Sequence, residues 1–345
     1  MSTAAELDAI LKTKNQYERK EDKMEIKVGI LGLGGIATKM ADTVNKTDGV
    51  TLYAAASRSM DKALDFARTY GAAKAYGSYE EMAQDDNVDL VYIATPHAFH
   101  AENALMCLEH GKHVLVEKPL AANAEQAIKV FAAAKEKGLF AGEAIWSRYQ
   151  PIQKKLNDLI NCGVIGEVTC VTAFTGGEMT AVKRLTEPEL AGGALLDVGI
   201  YPLNFASMII NEPVIRVDTN AVLSDKGVDL QNAFTLSYGS GKMAVLGSSM
   251  ISEMDSRGVI YGTKGRIEAE FIIDIARLTV YTDKGAEIIE RPTQITGFEY
   301  ELMSAVKAIG EGKIQPDEMP HRETVKMMRI MDGLRKRWGV VYPFE

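Results

Sequence analysis

A lysine followed by proline, and a tyrosine four residues after an aspartate, are the side chains here best suited to moving a proton. Lys118 lies in Glu117-Lys118-Pro119, at the end of the apolar run His113–Val116. A lysine at a strand mouth is ordinarily a surface charge. A proline in the following tight turn holds it in one place, as a catalytic or substrate-orienting ammonium requires. Asp197 and Tyr201, in Asp197-Val198-Gly199-Ile200-Tyr201, project from one face if they open a helix. The ordinary tyrosine pKa is near 10, and a nearby ammonium stabilises phenolate and lowers it. Such a tyrosine takes a proton from an alcohol or returns one to a carbonyl while hydride moves to or from nicotinamide. The plainer reading of the pair is a packed tyrosine and an N-cap aspartate.

Hydride chemistry needs a dinucleotide, and Gly32-Leu33-Gly34-Gly35-Ile36-Ala37 has the pattern to hold one. The strand-like run Val28–Leu31 precedes it, and apolar residues recur at helical spacing after it. Gly32 suits the tight turn, Gly34 the close approach of a pyrophosphate, and Ala37 close helix–strand packing. The phosphates then meet unpaired N–H groups at the helix start, around Gly35 and Ile36. The alternative is a βα turn that uses glycine only for its geometry. The second strand ends in Ser57-Arg58-Ser59, with no acid to hold a ribose hydroxyl. Arg58 suits a 2′-phosphate and the serine hydroxyls add hydrogen bonds, so NADP(H) is expected over NAD(H). The alternative for Arg58 is a solvent-facing loop residue.

These residues require a scaffold that brings strand ends together. From 26 to about 145, strand-like runs (50–56, 74–75, 90–94, 113–116, 139–142) alternate with helical patterns (40–47, 61–70, 79–84, 99–110, 123–137). Regular βαβ alternation predicts a doubly wound parallel sheet of Rossmann type, with ligands outside the carboxyl ends of its strands. The glycine turn, Ser57–Arg58, Thr95-Pro96-His97 and Glu117-Lys118 all fall on that edge. After about Trp146 the pattern becomes a short helix (151–161) and then β-rich segments at 167–175, 213–223, 231–239, 242–250, 257–261, 265–272 and 276–282. Short connections, with a hairpin turn at 238–242, predict mostly antiparallel pairing. Helices are expected near 195–210, 297–311 and 321–338. The expected division is an N-terminal extension (1–23), a Rossmann NADP-binding domain (24–145) and an α+β substrate and oligomerisation domain (146–345).

Composition sets the outer limits. With 345 residues, 46% of them hydrophobic and 25% charged, the chain reads as a soluble protein of two domains. A net charge of −8 argues against a nucleic-acid partner. No run is long and apolar enough for a membrane span, and there is no signal peptide. Cys107, Cys162 and Cys170 fit no paired pattern, which suggests a reduced, cytoplasmic setting. No histidine or cysteine spacing forms a metal site; His97 and His100 are a close pair on a loop.

Taken together, these motifs resemble the glucose–fructose oxidoreductase / inositol dehydrogenase (Gfo/Idh/MocA) family from about Met24 to the C-terminus. The resemblance rests on the glycine turn, Ala94-Thr95-Pro96, Glu117-Lys118-Pro119, Asp197–Tyr201, Tyr261-Gly262-Thr263-Lys264-Gly265 and Met331-Asp332-Gly333-Leu334-Arg335. Glu143–Tyr149 and Gly192–Asp197 are most similar to dimeric dihydrodiol dehydrogenases and NADP-dependent D-xylose dehydrogenases. The resemblance implies a second domain with an open-faced sheet that mediates a dimer or tetramer. It makes Lys118 the catalytic lysine and nicotinamide contact, Tyr201 the general acid/base and Asp197 an orienting group. Trp146 and Arg148 would line the nicotinamide and substrate pocket, and Pro119 is often cis in relatives. His97 stands where the family commonly has Asn, while His100 matches a histidine the family often has. The expected activity is NADP(H)-dependent oxidation or reduction of a sugar, polyol or diol. A dihydrodiol or dicarbonyl activity and a non-catalytic NADP sensor are the alternatives.

Overall fold

The computed structural model describes residues 25–345, so the expected extension at 1–23 lies outside the described residues. Strands β1 (Ile26–Leu31), β2 (Val50–Ala56), β3 (Lys74–Tyr76), β4 (Leu90–Ile93), β5 (His113–Glu117) and β6 (Ala141–Ala144) form one sheet. Its order is β3-β2-β1-β4-β5-β6, and every pair is parallel. Helices Gly35–Val44, Met60–Tyr70, Tyr79–Ala83, His100–Glu109 and Ala124–Lys137 lie between successive strands. β4 reads Leu-Val-Tyr-Ile and is buried throughout, as expected for a strand with both faces covered. The strand order reverses between β1 and β4, which opens a crevice at their carboxyl ends.

Local chemistry sets the helix ends. Ser59 Oγ accepts the Lys62 N–H at the start of Met60–Tyr70, which stops at Gly71 in the left-handed conformation. Gly138 ends Ala124–Lys137 in the same way, and the Leu139 N–H still bonds back to the Ala134 carbonyl. That closure delays β6 to Ala141, two residues later than the apolar run suggests.

The later strands build a second sheet: β7 (Val168–Glu178), β8 (Val214–Leu223), β9 (Asp229–Tyr238), β10 (Met243–Ser249), β11 (Ile251–Met254), β12 (Gly258–Gly262), β13 (Gly265–Glu270), β14 (Arg277–Thr282) and β15 (Gly285–Glu290). The order is β15-β14-β13-β12-β7-β10-β9-β8, with β11 paired to β7. Pairing is antiparallel except between β7 and β10. The β9–β10 hairpin closes at 238–242, where Tyr238 N–H donates to the Lys242 carbonyl. β15 is almost wholly exposed, so it lacks the alternation that reveals a half-buried strand. Helix Ile200–Ile209 packs on β7 and β10, and a wider π-helical turn, Leu195–Gly199, leads into it. Helix His321–Trp338 returns to pack on Ala124–Lys137 of the first sheet's layer. Among the described residues no helix is long and apolar enough to cross a membrane.

Candidate active site

A cavity of about 570 Å³ opens at the carboxyl ends of β1, β2, β4 and β5. The glycine turn forms its floor. Gly32 has φ +90, and a Cβ there would meet the Ala94 carbonyl and Thr95 nitrogen at 2.9 Å. Gly34 and Gly35 face open space, with nothing within 4 Å of a built Cβ. No side chain caps the helix Gly35–Val44, and its first turn carries no acid. Free N–H groups, an open cradle and a glycine-only turn fit a dinucleotide pyrophosphate. Ala37 is fully buried in the helix–strand contact, as its position in the motif requires.

Ser57, Arg58, Lys62 and Tyr79 line one end. Ser57 is buried and its Oγ accepts the Ser59 N–H at 3.3 Å, whereas Arg58 is exposed at the rim beside the Tyr79 hydroxyl. Sequence reading missed Lys62. It lies in the first turn of the next helix, four residues beyond Arg58, and could have been found by that spacing. Thr95, Pro96, His97, His100, Glu117 and Lys118 line the cavity toward its other end. His100 is fully buried, with its ring nitrogens 2.7 Å from the Thr95 and Pro119 carbonyls. Burial lowers its pKa to about 3, so the neutral ring donates to one of these carbonyls and packs between the ends of β4 and β5. The Lys118–Pro119 peptide bond is cis.

At this end Lys118 and Asp197 meet. Lys118 Nζ donates to the Asp197 carbonyl at 2.7 Å and to Asp197 Oδ1 at 3.2 Å. Arg184 Nη1 donates to the same Oδ1 at 2.9 Å, and His97 Nε2 lies 3.5 Å from it. Burial alone would raise the Asp197 carboxyl. The Lys118 ammonium, the His97 contact and Arg184 overcome that and hold it well below the usual carboxylate range. Asp197 Oδ2 has no protein partner among the described residues. His97 Nδ1 lies 3.1 Å from the Ala191 carbonyl, so this ring joins the first sheet's loop to the segment carrying Arg184. Glu117 is buried beneath Lys118. Its carboxylate accepts the Tyr92 hydroxyl and the Lys118 N–H, and burial pushes its pKa up.

Asp197 lies in the π-helical turn and Tyr201 in the helix beyond it, and both side chains meet Lys118. Two expectations need correction. Lys118 does not lower the Tyr201 pKa. Its ammonium is taken by Asp197 and sits over the phenol ring, 5.3 Å from the centroid. Burial and then the Glu117 charge push Tyr201 well above its ordinary value, and the Trp146 N–H, 3.1 Å from its oxygen, opposes them only in part. Finally, Trp146 and Arg148 do not line the cavity, and Tyr201 stands behind Lys118 at its inner end. Trp146 is covered by Lys39, whose Nζ lies 3.8 Å from its ring centroid, and packs edge-on against Phe298. The 3₁₀ turn Trp146–Arg148 sends Arg148 the other way. There it bonds Asn204 Oδ1 at 3.0 Å and the Glu318 carbonyl at 2.7 Å, and it lines a separate cavity of about 660 Å³. Arg184 was also missed, since no motif marks it.

Comparison with known proteins agrees with this layout. The model of the Gfo/Idh/MocA oxidoreductase family, NAD-binding Rossmann fold, matches residues 26–144. The Gfo/Idh/MocA C-terminal domain matches 153–268. The chain is 33% identical over 330 residues to trans-1,2-dihydrobenzene-1,2-diol dehydrogenase of Xenopus tropicalis, covering 93% of this chain and 100% of that one. Identity is also 33% over 330 residues to the scyllo-inositol 2-dehydrogenase (NADP(+)) of Bacillus subtilis (strain 168), at 93% and 99% coverage. Among solved structures, a 3-ketoreductase from Actinomadura kijaniata in complex with NADP and TDP-benzene superimposes with a TM-score of 0.81. That match has 26% identity, over 90% of this chain and 97% of that one. Glycine turn, doubly wound sheet, second-sheet domain and both family matches lead to one assignment: the chain belongs to the Gfo/Idh/MocA family and is an NAD(P)-dependent oxidoreductase.

Proposed function

We propose that this chain is an NADP(H)-dependent dehydrogenase that passes a hydride between nicotinamide and a CH–OH carbon of a sugar, polyol or diol. The observation that carries this reading is the Lys118–Asp197 pair facing the same cavity as the glycine turn. A cofactor-binding regulator has no use for that pair. In the proposed complex Gly32–Ile36 hold the pyrophosphate, and Arg58 with Lys62 holds the 2′-phosphate. Thr95, Pro96, His97 and His100 wall the nicotinamide side.

Asp197 fixes the Lys118 ammonium, leaving one of its three N–H donors for the substrate oxygen. That donor stabilises negative charge as it develops on the oxygen. Tyr201 is the general acid/base. Burial keeps it a neutral phenol, and that form gives a proton to a carbonyl oxygen in the reductive direction. Relatives named as dihydrodiol and inositol dehydrogenases and as a 3-ketoreductase support the substrate class. Self-association through the second sheet is part of the same reading, and the edge strand β8 exposes Ile215, Val222 and Leu223.

The test is a screen of aldoses, polyols and diols by NADPH absorbance, with cofactor titrations on two variants. Lys118→Ala is expected to lower kcat by roughly 10²–10⁴ while NADP binding changes little. Arg58→Ala is expected to weaken NADP by roughly tenfold or more and NAD far less. Turnover retained in Lys118→Ala, or equal losses of both cofactors in Arg58→Ala, sinks the corresponding assignment.

A further inference from the structure

Arg184 comes from the second sheet's domain, on the short turn Lys183–Thr186, and reaches into the cavity against Asp197 and His97. Its Asp197 partner is 6% exposed, but Arg184 itself keeps 42% of its side chain open. Only Nη1 is engaged; Nε and Nη2 have no protein partner among the described residues. A planar guanidinium is therefore anchored at one corner and presents its remaining donors to the cavity. That fork matches the two oxygens of a carboxylate or phosphate.

The local charge count points the same way. Lys118 and Arg184 both lean on one carboxylate oxygen, Asp197 Oδ1, and one carboxylate cannot neutralise two cations. Glu117 is taken up by the Tyr92 hydroxyl and the Lys118 backbone N–H beneath the site. The unengaged donors of Arg184, on the open side of a half-enclosed site, attract an anion. Because the two cations share an oxygen, a substrate that sets its reacting oxygen on Lys118 brings neighbouring substituents to Arg184.

We propose that Arg184 determines specificity by holding an anionic group, a carboxylate or a phosphate, on the sugar or polyol whose reacting carbon lies against Lys118. This rests on the dehydrogenase reading above. The test compares D-glucose, D-glucuronate and D-glucose 6-phosphate as substrates of the wild-type protein, Arg184→Met and Arg184→Lys. The expected wild-type result is a kcat/KM for at least one charged sugar roughly tenfold to a hundredfold above that for D-glucose. This ratio should collapse in Arg184→Met, mainly through KM, and partly return in Arg184→Lys. The arm that retains the preference, uronate or 6-phosphate, identifies the anion. A wild type that favours D-glucose, or an Arg184→Met variant that loses all three substrates in one proportion, overturns the proposal. So does a variant that weakens NADP binding and leaves the ratio intact. If no sugar is turned over, the dehydrogenase reading fails instead, and calorimetry on the NADP-loaded protein decides this one. D-glucuronate or D-glucose 6-phosphate binding that Arg184→Met weakens supports it; binding of neither overturns it.

Discussion

Asp229 is a carboxyl held where its charge is disfavoured. It is completely buried, with Oδ2 accepting the Leu195 N–H and the Asn232 amide, both at 2.8 Å, while Oδ1 has no partner among the described residues. Burial raises its carboxyl from the ordinary 3.8 to about 7. Between those values the folded state holds a proton that the unfolded chain has lost, so stability falls as pH rises through that window. Asp229→Asn is expected to flatten the decline, which is on the order of a few kcal/mol, in urea titrations across the range. An unchanged slope would show that other groups cause it. Lys118, Asp197 and Arg58 were legible because strand ends and short motifs mark them. Arg184 and Asp229 act through three-dimensional neighbours that no local pattern records, whereas Lys62 stands only four residues beyond Arg58. The Tyr201 error is of the same kind: a pairwise view includes the nearby ammonium and omits the desolvation that outweighs it.

Among the elements, the glycine turn makes a distinction that sequence could not. Gly32 needs its positive φ and has the Ala94–Thr95 backbone against it, whereas Gly34 has an ordinary φ of −87 and empty space. Gly32→Ala is therefore expected to destabilise the fold, by roughly 2 kcal/mol or more from strain and clash together. Gly34→Ala should leave Tm nearly unchanged yet weaken NADP binding, because its methyl occupies only cofactor space. Equal effects on both readouts from the two variants would refute this division. Most strands and helices of both sheets were legible to within a few residues, since burial on one or both faces leaves a period in the sequence. The exceptions have physical causes. β15 is exposed on nearly every residue, and β11 is a four-residue edge segment on β7. The parallel β7–β10 pair joins strands far apart in sequence, which short-connection reasoning cannot foresee.

At the level of the molecule, the C-terminus ties the layers together. Arg335, only 4% exposed, donates to both carboxylate oxygens of Glu345, at 2.9 and 2.8 Å, and to Asp332 at 3.0 Å. It also reaches the Ala122 carbonyl beside the helix Ala124–Lys137, while Asn123 bonds Glu345. Tyr342 donates to the Gly192 carbonyl, in the segment that follows Arg184. The family resemblance covered Met331–Arg335, but nothing in the sequence tells that these residues reach across some two hundred positions. Arg335→Met leaves two carboxylates without their cation. It is expected to cost roughly 2–4 kcal/mol in urea unfolding, the buried-pair cost discounted for the partial exposure of Glu345 and Asp332. A loss below about 0.5 kcal/mol would mean the cluster holds nothing together.

The π-helical turn Leu195–Gly199 has a consequence for how such a site is gained or lost. A wide turn of this kind holds one residue more than the α-helical path between the same two ends. Dropping Val198 would restore α-helical spacing, bring Asp197 within three residues of Tyr201 and displace its carboxylate from its place against Lys118. The helix Ile200–Ile209 and its seat on the second sheet would remain. The reactive register is thus kept by a count of one residue, and a lineage could disarm this protein by a single in-frame codon deletion without rebuilding either sheet.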